Sequence, residues 1–252
     1  MSMITERLPV ADGQSIVVDW RAPAEPGGRC AAFIHGLASD RKGEKAQYFS
    51  EAFAAMGWGF LAVDLRGHGE ADGTLEELTL SRCLDDLHTA LQWIPQPAAP
   101  PLLIGSSMGA AVSAWYAAGG RGPVGPLVLL APSLRFPGHF LTALPQAELD
   151  AWRSSGKRRL ESAWIDIDLG YGLLEDARNY PPEALVQRYD HPTLIIQGMQ
   201  DDAVDWHIPL EFTAESPCAT IDLLLIKQGD HRLTDYKAYL WDAIQGWLRR
   251  GW

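Results

Sequence analysis

Two glycines frame a serine in Gly105-Ser106-Ser107-Met108-Gly109, one two positions before Ser107 and one two positions after it. The apolar run Pro101-Leu102-Leu103-Ile104 precedes this segment and the helical stretch Ala110 to Ala118 follows it. A strand that turns sharply into a helix with a serine at the apex needs this pattern, because side chains at the two flanks would collide across the turn. Ser106 has Ile104 and Met108 at the same offsets, so the register falls on Ser107. A helix starting there aims free backbone N–H groups and its positive dipole end at the serine. The chemistry that suits such a serine is acyl transfer.

A serine hydroxyl is a weak nucleophile until a base takes its proton, and an elbow of this kind has its acid and then its histidine downstream. His231, in Gly229-Asp230-His231 just after the strand-like run Ile221 to Ile226, is the histidine placed late enough. His35 and His68 precede the serine, His88 falls mid-helix, His139 lies in a segment without strand-like runs, His191 precedes Pro192, and His207 lies beyond the acid loop. The acid is expected where Thr193 to Gln197 runs into Gly198-Met199-Gln200-Asp201-Asp202-Ala203-Val204. Asp201 opens an Asp-x-x-Val pattern whose apolar end would anchor the loop, and it is the expected partner of His231, fixing its tautomer and stabilising the imidazolium. Asp202 is its rival, since spacing alone does not decide which carboxylate turns inward. A tetrahedral intermediate also needs donors for its oxyanion. The backbone N–H of Met108 supplies one, and that of Leu37, in His35-Gly36-Leu37 at the end of an earlier strand, is expected to supply the other, with His35 itself architectural.

Other constellations carry less. Asp64-Leu65-Arg66-Gly67-His68-Gly69 lacks the third glycine or the Gly-Lys-Ser/Thr element of a phosphate loop and reads as a tight structural turn. Lys157-Arg158-Arg159 reads as a solvated helix face ahead of a subsite for an anionic acyl group. Arg232, beside His231, could meet a charged substrate or form a surface ion pair. No His, Cys or carboxylate spacing matches a metal site, and no cofactor is implied. Cys30, Cys83 and Cys218 are odd in number and far apart, which fits buried thiols in a reducing compartment rather than a disulfide framework. A formal net charge of −11 opposes nucleic acid and anionic lipid surfaces. Glu6 and Asp12 interrupt any signal-peptide pattern and no apolar stretch is long enough to span a bilayer, so a cytoplasmic protein without membrane or nucleic-acid partners is expected. The sequence names no oligomeric state.

The elements that must position these residues alternate. Strand-like runs occur at Ser15 to Trp20, Ala31 to Ile34, Phe60 to Val63, Leu102 to Ile104, Leu127 to Leu130, Thr193 to Ile196 and Ile221 to Ile226. Helical spacing fills Glu44 to Met56, Leu80 to Ile94, Met108 to Ala118 and Asp235 to Arg249. The alternation implies an α/β fold, a mainly parallel twisted sheet with helices on both faces. Ala11-Asp12-Gly13-Gln14 suits a hairpin turn, so the sheet should begin antiparallel. The 252 residues, 47% of them hydrophobic, make one domain, 1–252. The alternation breaks only at about 133–190, where Phe136, Phe140, Leu141, Leu144, Trp152, Trp164 and Tyr171 occur without a strand-like run; a helical cap inserted above the sheet is expected, the alternative being packing helices with no gating role.

With these motifs in place the chain resembles the α/β-hydrolase superfamily along nearly its whole length, through His35-Gly36, Asp64 to Gly69, Gly105 to Gly109, Gly198 to Val204 and Asp230-His231. The longer stretches Gly198 to His207 and Gly229 to Leu233, with Gly43-Glu44-Lys45-Ala46, are similar to a branch of acyl-protein thioesterases and acyl-glucuronide esterases of animal mitochondria and their bacterial relatives. Gln197 stands where many of that branch have histidine, Asp205 where proline is frequent, Ala110-Ala111 where glycine is common, and no mitochondrial presequence is visible. The resemblance implies hydrolysis of small-molecule carboxylic esters or thioesters, of small to medium acyl groups, with Ser107, Asp201 and His231 as triad. The same fold and triad also serve perhydrolases and carbon–carbon bond hydrolases, and a non-catalytic binding protein is the reading from a different class. An aspartate in place of Ser107 would be needed for haloalkane dehalogenation.

Overall fold

The computed structural model describes residues 2–95, 97, 99–162 and 165–251; Trp164 lies outside the described residues. Asp12-Gly13 closes the first hairpin, with Gly13 at φ 83°, between β1 (Ile4–Pro9) and β2 (Ser15–Arg21), which pair antiparallel as the turn residues require. Then follow β3 (Cys30–Ile34), β4 (Gly59–Asp64), β5 (Leu102–Ser106), β6 (Leu127–Leu130) and β9 (Thr193–Gly198), every residue of which is buried. Burial on both faces explains why these runs are continuously apolar instead of alternating. Strand β10 (Ile221–Ile226) closes the far edge and is only partly covered.

The eight strands lie in the order β1-β2-β4-β3-β5-β6-β9-β10. All pairs from β4 to β10 are parallel, and β2 runs antiparallel to both neighbours. Helices α1 (Glu44–Ala55) and α9 (Lys237–Leu248) pack Phe49, Phe53, Leu240, Ile244 and Trp247 on one face of the sheet. On the other face lie α2 (Leu80–Trp93), α3 (Met108–Ala118) and α8 (His207–Glu215). Right-handed crossovers dictate this division: the chain leaves β3 toward β4 with α1 on one side, then returns across to β5 with α2 on the other. The reversal leaves a crevice at the carboxyl ends of β3 and β5, where α/β sheets present their sites.

The segment between β6 and β9 holds α4 (His139–Ala143), α5 (Gln146–Ser155), α6 (Gly172–Ala177) and α7 (Pro182–Arg188). It also holds a second, antiparallel two-stranded sheet, β7 (Lys157–Glu161) and β8 (Asp166–Gly170), so the expectation of an all-helical insertion is corrected. Lys157-Arg158-Arg159 lies on β7, not on a helix. Positions on β7 alternate between exposed and half-buried, and charges pair across the hairpin, Lys157 with Asp168 at 3.1 Å and Arg159 with Asp166. Trp152 anchors the hairpin from below, buried, its Nε1–H donating to Leu169 O at 3.0 Å. No helix among the described residues is long and apolar enough to cross a membrane.

Candidate active site

Ser107 follows β5 with φ 54° and ψ −115°, a backbone region that L side chains rarely occupy. The turn is held because its flanks are glycine. A Cβ on Gly105 would run into Gly109 O and Ala110, and one on Gly109 would run into Ile34 O and His35 O. The elbow can therefore press α3 against the end of β3, which sets Gly36 and Leu37 beside the serine.

His231 and Asp201 arrive on the loops after β10 and β9. These loops touch at glycines: a Cβ on Gly198 would strike the backbone of Gly229, and Gln200 N–H donates to Gly229 O at 2.9 Å. The contact aligns the two side chains. His231 Nδ1 lies 2.8 Å from Asp201 Oδ2 and His231 Nε2 lies 2.9 Å from Ser107 Oγ. Asp201, its side chain fully buried, also accepts from Gln197 Nε2 at 2.8 Å and from the N–H groups of Ala203 and Val204 at 2.9 and 2.8 Å. Burial works against its charge, but the hydrogen bonds from His231, Val204 and Gln197 outweigh it and hold the carboxyl below its ordinary value. A charged Asp201 can only accept from His231 Nδ1–H, an arrangement that turns the other ring nitrogen, Nε2, to Ser107 Oγ. Asp202 is exposed and lines the cavity without reaching His231 through any hydrogen bond among the described residues.

Leu37 and Met108 both line the cavity over Ser107, and among the described residues neither N–H is used in a backbone hydrogen bond. His35 does not face the reaction: its Nδ1–H donates to Gly36 O at 2.8 Å, its Nε2 accepts from Leu65 N–H at 3.2 Å, and burial pushes its pKa down to about 4. Asp64 is equally structural. It is buried, accepts from Arg41 N and Glu70 N at 2.6 and 2.8 Å, and pairs with the Arg41 guanidinium, while Gly69, at φ 53°, packs directly on its carboxylate. Arg232 gives its carbonyl to Lys45 Nζ at 2.5 Å, a tie that fastens the His231 loop to α1. Lys45 is desolvated there, with Arg232 nearby, and its pKa falls to about 8.

Two residues at the centre carried no functional reading in the sequence. Gln197 is fully buried and braces Asp201; in the sequence it stood only as the end of a strand and as a departure from the histidine of the branch the chain resembles. Ser133, three positions past the end of β6, brings its Oγ to 3.2 Å from Ser107 Oγ. The approach of Ser133 depends on the adjacency of β5 and β6, which no local motif encodes, whereas Gln197 reaches Asp201 four residues along the same strand and loop. The cavity above the serine has a volume of about 620 Å³, and Phe136, Phe140, Leu160 and Ile165 of the inserted segment form part of its wall. Among the described residues no group of three or more His, Cys, Asp or Glu is placed to hold a metal ion. The arrangement offers a hydroxyl, a base oriented by a carboxylate, and two N–H donors beside an apolar-walled chamber, the set that acyl transfer uses.

A family model described as "Serine aminopeptidase, S33" matches residues 28–235. The chain is 25% identical over 212 residues to the Bos taurus protein named palmitoyl-protein thioesterase ABHD10, mitochondrial, a match covering 81% of this chain and 67% of that one. Among solved structures, a putative hydrolase from Agrobacterium vitis superposes with a TM-score of 0.87 at 26% identity, covering 98% of this chain and 99% of the other. Alpha/beta hydrolase domain-containing protein 10 from mouse gives a TM-score of 0.85 at 22% identity, with 99% of each chain covered.

Proposed function

From the premise that the chain belongs to the serine aminopeptidase S33 family and is an α/β-hydrolase acting on carboxylic esters or thioesters, we propose that Ser107 is its nucleophile, His231 its base and Asp201 the acid that orients the base. The observation that carries this reading is the unbroken line from Ser107 Oγ through His231 to Asp201, with both links under 3 Å. His231 takes the serine proton as Oγ adds to the acyl carbon. The N–H groups of Leu37 and Met108 receive the negative charge that gathers on the carbonyl oxygen. Collapse expels the alcohol or thiol, protonated by His231, and leaves an acyl-Ser107. Water then enters, gives a proton to His231 and releases the acid.

A chamber of about 620 Å³ falls within the range of small-molecule sites, about 300–1,000 Å³. The inserted segment at about 133–190 acts as a cap that shapes the acyl pocket, and small to medium acyl groups are its expected guests. Thioesters are supported by the name of the bovine relative. Cys30, Cys83 and Cys218 are all free and buried, which fits the reducing conditions of the cytoplasm.

Replacing the nucleophile tests the assignment. Ser107→Ala should lower turnover of aryl acetates or butyrates by roughly 10⁴- to 10⁶-fold while the melting temperature is kept. Near-normal turnover by the folded variant would refute it.

A further inference from the structure

The contact between Ser107 and Ser133 is not needed by a serine, histidine and carboxylate, yet strained backbone adjoins it on both strands. Strands β5 and β6 are parallel neighbours that end level, Ser106 paired with Leu130. Each is followed by a non-glycine residue with positive φ, Ser107 at 54° and Ala131 at 44°. Hydrogen bonds clamp both turns: Ser107 N–H donates to Leu130 O at 2.9 Å, Ala131 N–H to Ile196 O at 2.9 Å, and Ser133 N–H to Ser107 O at 3.2 Å. Strain that the surroundings enforce in this way concentrates where function requires a fixed geometry. Between the two turns the hydroxyl oxygens of Ser107 and Ser133 lie 3.2 Å apart at the cavity wall.

The proton inventory sets the direction of that contact. Asp201 accepts from His231 Nδ1–H, so Nε2 is an acceptor and the Ser107 proton points at it. With Nε2 accepting the Ser107 proton, Ser107 Oγ presents lone pairs to Ser133, which assigns the Ser133 hydroxyl as the donor of a contact that geometry alone leaves open in direction. No other side-chain hydrogen bond of Ser133 competes for that proton among the described residues.

Resting on the reading of Ser107 as the nucleophile, we propose that Ser133 is a further catalytic residue, whose O–H stabilises negative charge on Ser107 Oγ whenever that oxygen lacks its own proton. Two moments of the cycle need it. In acylation the Ser107 proton passes to His231 Nε2 as the Oγ–carbon bond forms and the bond to the leaving alcohol or thiol breaks. In deacylation water gives its proton to His231, the new oxygen–carbon bond forms, and the carbon–Oγ bond breaks with charge returning to Oγ until His231 reprotonates it. Ser133 keeps its proton throughout.

The test compares Ser133→Ala, Ser133→Cys and Ser133→Thr. Alanine removes the donor, cysteine keeps the volume with a much weaker one, and threonine keeps the hydroxyl. Loss of a hydrogen bond to a charged oxygen should lower kcat, and the rate of covalent labelling of Ser107 by a fluorophosphonate, by about 10- to 100-fold in the alanine and cysteine variants, with KM unchanged. Threonine should retain most of both rates. Melting curves identify a variant that fails to fold, and the cysteine form then carries the comparison. Wild-type turnover and labelling in the alanine or cysteine variant would overturn the proposal, as would a threonine variant that loses as much as alanine. Labelling at Ser107 in the wild type keeps such a failure distinct from a failure of the nucleophile assignment.

Discussion

Four donors converge on the Asp201 carboxylate: His231 Nδ1, Gln197 Nε2 and the N–H groups of Ala203 and Val204. On the proposed assignment such a group works as a fixed anion that keeps one proton on one face of the imidazole. Asp201→Asn keeps the shape but can present N–H to His231, which drives the ring to the tautomer that cannot accept the serine proton; kcat should drop by about 10⁴-fold. Asp202→Asn, at an exposed cavity-lining position, should keep kcat within severalfold, and steady-state kinetics on one p-nitrophenyl ester reads both. Equal losses would mean that the acid is wrongly assigned. At this scale the elbow was legible because steric exclusion writes itself into sequence as Gly105 and Gly109. Asp201 was legible as the expected acid through its Asp-x-x-Val pattern but kept Asp202 as a rival, since a loop's twist is decided by contacts such as Gly198 against Gly229, far along the chain. Ser133 was not legible at all: its approach to Ser107 follows from the positive φ of Ala131 and the pairing of β5 with β6.

Elements transmit these constraints. The first turn of α3 touches the end of β3 through a glycine, so the helix cannot tolerate even one methyl group there without moving. Gly109→Ala should destabilise the fold by about 2 kcal/mol or more, because the clash is with backbone carbonyls that cannot rotate away. Gly246→Ala, in the exposed interior of α9 with nothing near the added carbon, should do the reverse and stabilise by about 0.5–1 kcal/mol. Thermal melts of the pair give the answer, and a shift of the same sign in both would contradict this account of the elbow. The buried strands and their helices were readable because continuous apolar runs and helical spacing follow directly from where each element sits. The hairpin of β7 and β8 was not. Its strands are half solvated and held by cross-strand charge pairs, so Lys157, Arg159, Asp166 and Asp168 read as surface instead of as a ladder.

At the scale of the molecule, the sheet does the assembling. Ser107 and His231 are 124 positions apart and meet only because β5, β6, β9 and β10 lie side by side with their carboxyl ends level. Order along the chain, of Ser107, Asp201 and His231, was therefore open to sequence reasoning, while the cavity lining was not: Phe136, Phe140, Leu160 and Ile165 reach the cavity from positions spread over about thirty residues of the inserted segment. A line of hydrogen bonds assembled over that distance should make one serine, and no other, reactive. Labelling the folded, active protein with a fluorophosphonate and mapping the adduct by peptide mass spectrometry measures this directly. The adduct is expected on Ser107, with turnover lost in proportion to labelling. Active protein that stays unlabelled, or an adduct on Ser106 or elsewhere that accompanies the loss, would contradict the account.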